Sequence, residues 1–364
     1  MKRLFLLPVL GLSLSASAQQ LDSAITLSAY AEAYYSFDLA QPDDHLRPGF
    51  VYSHNRHNEV NLNLGMIKLA YAKDNVRGNL ALMAGTYPQY NLAAEPELLR
   101  SVFEANVGVK LSKTRNLWLD AGIMPSHIGF ESAIGKDCWN LTRSMLADNT
   151  PYYEAGARVS YTSKNEKWYA SGLLLNGWQR IARVDGNNTP AFGTQLTYKP
   201  NGKTTLNWST FIGNDKPDTV SQSRIFNNLY AQLQVTERFG VVVGCDIGME
   251  QAASGDSLPT GQAGSSTWVT PIVIPRYKLG DKSYLAARVE YYQDEKGVII
   301  ATGTPNGFTT LGYSLNFDRW VSPNFLWRVE ARSLNSEDKI FVDADGKATT
   351  SNTFFTASLC ITLP

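Results

Sequence analysis

Beyond its N-terminus the chain has no run of roughly 18 uninterrupted apolar residues, the length a membrane-crossing helix requires. A helical membrane span therefore has no place in the body of the protein. Cysteine is scarce, with only Cys138, Cys245 and Cys360 among 364 residues. An odd and widely spaced set offers no disulfide framework, and no structural disulfide is expected. Neither sign of charge is in excess, since Lys plus Arg and Asp plus Glu are 33 each. That balance removes the electrostatic case for nucleic acid as a partner. Apolar residues at helical spacing are almost missing too, which leaves period two as the dominant pattern.

What is present begins with an export signal. MKRLFLLPVLGLSLSASA places Lys2 and Arg3 before an apolar run and ends in Ala16-Ser17-Ala18, a small-residue cleavage pattern. Residues 1–18 are expected to be a secretory signal peptide, and residues 19–364 a single domain. No cysteine follows the cleavage site, so a lipid anchor is not indicated.

The period-two segments are clean. Phe103, Ala105, Val107, Val109 and Leu111 alternate with Glu104, Asn106, Gly108 and Lys110. Val241, Val243, Cys245 and Ile247 alternate with Gly240, Gly244, Asp246 and Gly248. Counting such segments gives about sixteen strands, an even number as in bacterial single-chain barrels. Two are irregular. The strand near 60–72 changes phase around Gly65-Met66, which predicts a bulge. The one near 267–279 carries Pro271 and Pro275, which disfavour an internal ladder.

The connections alternate short and long along the whole chain. Short ones such as 73–76, 163–166 and 280–282 separate long ones such as 38–59, 125–152 and 335–351. A Greek-key sandwich gives no reason for that regularity, whereas an up-and-down meander across a membrane does. The fold expected is all-β: a transmembrane antiparallel up-and-down β-barrel with short periplasmic turns and long outer loops. A mean hydropathy slightly on the polar side is no objection, because barrel strands dilute their lipid face by alternation. The 18 Tyr and 8 Trp suit two interfacial girdles. Paired aromatics at strand ends, among them Tyr34-Tyr35, Tyr152-Tyr153, Tyr291-Tyr292 and Phe354-Phe355, are assigned to the outer girdle.

A basic side chain on a lipid face costs roughly 2–4 kcal/mol near the bilayer midplane. Arg158, Arg288, Arg328 and Arg332 share the polar phase of their strands, together with Glu104, Glu290 and Glu330. These seven are expected to face a water-filled lumen.

The stretches LWLDAGIMPSHIGFES (117–132), NTPYYEAG (149–156) and LLLNGW (173–178) resemble the OmpL-like β-barrel porins of Gram-negative outer membranes. YAEAYYSFD (30–38), YSHNRHNEVNLNLG (52–65) and AGTYPQYN (84–91) fit the same family, and the match continues more diffusely beyond residue 200. The chain departs from the pattern at its end, Leu359 to Pro364, where a terminal aromatic is lacking. The resemblance implies an outer-membrane channel for small solutes.

The longest connection, 125–152, is the third outer loop, and in sixteen-stranded porins the third loop folds inward. Residues 140–147 read as a short helix with Asn140 as N-cap. Glu131, Lys136, Asp137, Arg143 and Asp148 would then stand in the pore opposite Arg288, Arg328 and Arg332, giving a constriction.

Other chemistry is weaker. His54 and His57 lie three apart, which on a strand places them on opposite sides, and no further ligand spacing completes a metal site. Ser126-His127 are adjacent, so they cannot readily form a nucleophile–base pair with each other, although a partner from another strand stays open. Asp343-Ala344-Asp345-Gly346 reads as a turn, since its calcium-ligand run is incomplete. No cofactor, metal or catalytic residue is assigned. Three classes stay open: a passive porin, a barrel esterase or protease, and a non-conducting surface barrel. The partners expected are outer-membrane lipid and small hydrophilic solutes, with a homo-oligomer left open.

Overall fold

The computed structural model describes residues 24–220, 222–251 and 264–363; the expected signal peptide lies outside them. The first strands are β1 (Ile25–Asp38), β2 (Val60–Lys73), β3 (Val76–Ala84), β4 (Val102–Lys110) and β5 (Asn116–Pro125). They are followed by β6 (Tyr153–Thr162), β7 (Trp168–Leu175), β8 (Ala191–Asn201), β9 (Thr204–Asn214) and β10 (Ser223–Gln234). Then come β11 (Phe239–Gln251), β12 (Ser265–Gly280), β13 (Ser283–Asp294), β14 (Phe308–Ser322) and β15 (Phe325–Ser336). A small hairpin, β16 (Phe341–Val342) and β17 (Ala348–Thr349), precedes the last strand, β18 (Ser351–Leu363).

All except the hairpin join in one closed antiparallel barrel, each strand paired with its sequence neighbours. The ring closes where β1 meets β18, from Ala29↔Leu363 to Asp38↔Phe354. Closure is what a bilayer demands, since an unpaired strand edge has no water there to satisfy it. Asp343 sits at the hairpin turn, where its backbone N–H donates to Lys347 O at 2.9 Å.

Alternation sets the faces. On β11 Val243 and Ile247 point outwards while Gly244, Asp246 and Gly248 point inwards and are buried. The outward face is apolar around the barrel, with Val107, Leu196, Val289, Leu315 and Leu359 all exposed on the isolated chain. Cys245 belongs to this face, and all three cysteines are unpaired.

The irregular strands resolve into specific devices. On β2 the register with β1 jumps from Glu32↔Leu64 to Ala33↔Leu62. Asn63 is the extra residue of that bulge, two positions before the phase change read from the sequence. Its side chain turns inwards, donating to Glu32 Oε2 at 3.0 Å. β12 is a full internal strand despite its prolines. Its register with β11 includes Cys245↔Pro271 and Val241↔Pro275, whereas neither proline has a register partner on β13. Pro271 and Pro275 are four apart, so both missing donors fall on the same side, and one neighbour keeps an intact ladder. β3 stops at Ala84 rather than continuing to residue 87. Gly85 breaks it at φ 130°, a conformation disfavoured for side chains, and a Cβ there would lie 2.5 Å from Asn63 O. The short helix α1 (Thr86–Asn91) follows.

Five of the eight paired aromatics assigned to the outer girdle prove to be buried within the barrel. Tyr34, Tyr292 and Phe354 are buried inside the barrel, while their neighbours Tyr35, Tyr291 and Phe355 take the outer face. Period two forces this outcome, because adjacent strand residues cannot both reach lipid. Tyr152 and Tyr153 are also buried, in an inner apolar cluster with Tyr30, Leu64, Met66 and Leu146. A second inner cluster joins Phe211, Phe226, Trp268, Tyr292, Phe308 and Phe354. The packed core of this molecule thus lies within the barrel, beneath the long loops.

Candidate functional site

The third outer loop, residues 126–152, runs inside the barrel and is fastened to its wall. The expected helix over 140–147 is not formed. The helix is α2 (Met145–Asp148), capped by Ser144, whose Oγ accepts from Ala147 N at 3.1 Å. Residues 140–143 are not helical because the groups that would close a first turn from Asn140 are taken: Ser144 N and Met145 N donate to Glu131 and Glu290, and Arg288 and Arg332 hold the carbonyls of Thr142 and Arg143. Asn140 Nδ2 donates to Ser314 Oγ at 3.1 Å, Leu141 N to Asn316 Oδ1 at 3.0 Å, and Thr142 N to Glu330 Oε2 at 2.6 Å. Met145 N then donates to Glu290 Oε2 at 2.6 Å.

The wall arginines grip the loop's carbonyls in return. Arg288 donates to Thr142 O at 2.7 Å and Thr142 Oγ1 at 3.0 Å. Arg328 donates to Gly135 O at 2.8 Å and Cys138 O at 2.9 Å, and Arg332 to Arg143 O at 2.8 Å. Each arginine also pairs with a wall carboxylate: Arg288 with Glu330 at 3.0 Å, Arg328 with Asp318 at 2.7 Å, and Arg332 with Glu290 at 2.5 Å. Charges taken out of water must be paired and hydrogen-bonded, and here the loop backbone and the neighbouring strands supply partners for all but the Nε atoms of Arg288 and Arg332.

The residues singled out in the sequence separate into three groups. Arg288, Arg328, Arg332, Glu290 and Glu330 point into the barrel but are covered by the loop, not bare to water. Glu104 points inwards beside Lys68, and Arg158 points inwards toward Asp120, 3.6 Å away and partly exposed. Of the loop residues, Glu131, Arg143 and Asp148 are buried, and only Lys136 and Asp137 remain exposed, paired with each other at 2.7 Å. Arg143 does not face the wall. It braces the loop from within, donating to Ser132 O at 2.6 Å and Leu141 O at 2.7 Å. Burial pushes the Glu131 carboxyl above its usual range, against the pull of Arg288 at 3.9 Å and its bonds from Ser144. Burial also raises Asp148, opposed by Arg332 and the Ser53 hydroxyl.

His127 fixes the entrance of the loop. Its Nδ1 lies 2.8 Å from Glu154 Oε1 and its Nε2 lies 2.8 Å from Thr210 O. Both neighbours are acceptors, so the buried ring makes both bonds only as imidazolium. Gly193 makes the approach possible, since a Cβ there would stand 2.7 Å from Nε2. Ser126 Oγ donates to the same Glu154 carboxylate at 3.2 Å, so serine and histidine are both bound to the acid and not to each other. His54 Nε2 approaches Glu32 Oε1 at 3.2 Å, and His57 Nδ1 accepts from Asp38 N at 2.9 Å.

Burial alone would lower the His127 pKa, but Glu154 and the Thr210 carbonyl outweigh it and Arg158 opposes them only weakly; the net direction is upward. A raised folded-state pKa gives stability that is fully present below the unfolded value and lost as pH rises through the folded one. Nitrogen NMR of histidine-labelled protein should therefore find His127 doubly protonated above pH ~6.5, the ordinary histidine value. Thermal stability should fall over the range where that proton leaves, and His127→Gln should flatten the fall.

Two partners were not singled out by the sequence. Glu95 and Asp318 organise the interior, Glu95 by accepting from Tyr153 OH at 3.0 Å and from Ile181 N at 3.0 Å. The only signal for Asp318 was its inward phase on β14; Glu95 sits in a loop without pattern.

A closed ring of sixteen antiparallel strands with an apolar outside and a loop bound within is an outer-membrane barrel of the porin class. The chain belongs to the family described as putative beta-barrel porin-2, OmpL-like, whose model matches residues 24–363. No curated protein matches it. Among solved structures, an anion-selective porin from Comamonas acidovorans is 9% identical, with a TM-score of 0.59 over 93% of this chain and 99% of that one. The outer membrane channel DcaP of Acinetobacter baumannii is 10% identical, with a TM-score of 0.59 over 93% of this chain and 97% of that one. OmpT of Vibrio cholerae is 10% identical, with a TM-score of 0.58 over 94% and 99%. At such identities the likeness is one of fold.

Proposed function

We propose that the protein is a diffusion porin for small hydrophilic solutes, narrowed by residues 126–152. The observation that carries this reading is the two-way fastening of the loop. Wall arginines hold its carbonyls and wall carboxylates hold its N–H groups. A loop serving only as a surface cap has no use for buried charges along three adjacent strands of the inner wall, β13 to β15. The wall left uncovered, which includes Lys68 and Arg158, then forms the water path, and Glu131, Arg143 and Asp148 stiffen the narrowing from inside the loop.

A second reading, a non-conducting surface barrel, draws on the inner cluster of Phe211, Phe226, Trp268 and Phe354, which fills the outer half of the interior with apolar side chains. Planar bilayers separate the two. Discrete conductance steps from the purified barrel are expected, and their absence would establish the non-conducting reading. In a cysteine-free background, Arg158→Cys should react with a charged, impermeant thiol reagent. Asn316→Cys, which sits under the loop, should not react until residues 136–147 are removed.

A further inference from the structure

The charges facing the barrel interior are balanced in number but not in exposure. Every carboxylate on a described barrel strand is buried. The partly exposed inward cations, by contrast, sit toward the short-turn end, which is periplasmic in an outer-membrane barrel. In the ion pairs on the wall there the acid is recessed behind the base, the exception being Lys278, whose partner Asp281 is exposed in the β12–β13 turn. Lys68 is 31% exposed against 5% for Glu104, while Arg77 at 32% and Arg158 at 23% share Asp120 at 2%. Arg276 at 23% lies 3.8 Å from Asp318, which is 2% exposed and already held by Arg328.

Two of these groups share one design. Arg77 makes a forked contact with Asp120 at 2.7 and 2.5 Å, and Arg158 adds a second guanidinium to the same carboxylate. Arg328 makes a forked contact with Asp318 at 2.7 and 3.0 Å, and Arg276 is the second guanidinium. One carboxylate between two guanidiniums leaves a formal charge of about +1 on each group. In the ring of sixteen, β3–β6 lie across from β11–β14, so Arg276 on β12 and Asp318 on β14 stand on the wall opposite Arg77 and Arg158, with Arg328 covered by the loop. The loop does not cancel them, because its exposed charges, Lys136 and Asp137, neutralise one another.

Arg276 has a further feature. Its guanidinium lies 4.1 Å from the Tyr284 ring centroid and 5.6 Å from that of Trp139, which reaches across from the third loop. Its Nε has no hydrogen-bond partner among the described residues. It opens on a cavity of about 420 Å³ lined also by Lys278, Arg238 and the amides of Gln232 and Gln234, with Glu237 as its one carboxylate. A guanidinium backed by aromatic faces and flanked by amides matches a planar carboxylate in shape, charge and donors.

We infer that this barrel passes anions in preference to cations, and that Arg276, between Trp139 and Tyr284, is where a small carboxylate is held at the periplasmic mouth. The inference rests on the channel reading above. A wall whose water-accessible charge is of one sign raises the local concentration of the opposite ion and speeds its entry.

The test is the reversal potential of the intact barrel in a KCl gradient, with sodium benzoate as the carboxylate probe and benzyl alcohol as its neutral control. The expected reversal potential has the sign of chloride permeation. The preference should shrink as salt rises from ~0.1 M to ~1 M, because the Debye length falls from about 10 Å to about 3 Å. Benzoate on the periplasmic side should reduce the chloride current and benzyl alcohol should not. Arg276→Gln should weaken the benzoate effect several-fold while leaving Asp318 paired with Arg328. Arg77→Gln with Arg158→Gln should lower the chloride preference and keep the benzoate effect. Conductance steps that are unselective or cation-selective overturn the inference and leave the channel reading standing. A benzoate effect unchanged in Arg276→Gln overturns the site. Absence of any conductance refutes the channel reading itself.

Discussion

A chain lacking residues 136–147 should carry several-fold more current per pore than the intact protein, from a barrel of unchanged stability. The deletion removes the part of the loop that runs along the β13–β15 wall, including Asn140, Thr142 and Arg143, together with Met145, Leu146 and Ala147 of α2. The wall should survive the loss because its charges already pair among themselves. Arg288 keeps Glu330, Arg332 keeps Glu290 and Arg328 keeps Asp318, all within 3.0 Å. These pairs become exposed to water, where each ion recovers its solvation and the pairing matters less. Cross-strand ladders on either side of β14 are complete over the span concerned, so the barrel does not depend on the loop for its own hydrogen bonds. The apolar cluster around Tyr152 loses Leu146 and Ala147, and the passage widens further. Single-channel recording at fixed salt checks the result. A conductance equal to that of the intact protein would place the loop outside the solute path.

The barrel was legible because its causes are local and repeated. Each strand shows its two faces in any five or six residues, as β4 does with Phe103, Ala105 and Val107 against Glu104, Asn106 and Gly108. The alternation of turn and loop lengths then orders the strands without reference to any long-range contact. The interior was less legible because it depends on partners that period two cannot identify. Phase alone puts Arg288 inside, yet it does not say whether water or Thr142 lies against the guanidinium. The misread helix at 140–147 shows the same thing. Asn-Leu-Thr-Arg-Ser-Met-Leu-Ala is compatible with a helix in isolation, but Asn316, Glu330 and Arg288 offer its backbone better-placed partners, and only α2 is left helical. The paired aromatics failed for a simpler reason. Reading Tyr34-Tyr35 and Phe354-Phe355 as girdle ignored the alternation used everywhere else in the chain.

Replacing Arg288 with methionine should detach the third loop while leaving the barrel folded. The buried guanidinium bonds Thr142 O and Thr142 Oγ1, pairs with Glu330 at 3.0 Å and Glu290 at 3.1 Å, and stands 3.9 Å from Glu131. Without it, three buried carboxylates are left, with Arg332 paired to Glu290 alone. Breaking a buried pair by removing one partner costs about 3–5 kcal/mol. That cost falls on the contact that can relax, and the loop can leave the wall whereas the strands of a closed barrel cannot separate. Once the loop moves out, water reaches Glu290 and Glu330 and the penalty is relieved. Trypsin should then cut at Arg143, which is buried in the intact protein, while heat-modifiable migration of the barrel stays the same. Current through single pores should become larger and noisier. Arg288→Lys should give an intermediate result, since an ammonium keeps the charge but not the fork that reaches Thr142 and Glu330 together. The double variant Arg288→Met with Glu330→Gln should recover part of the protection, because one of the stranded carboxylates is neutralised. If Arg288→Met resists trypsin as well as the intact chain does, the arginine is not what holds the loop, and the fastening must lie with Arg328, Asn316 and His127 instead.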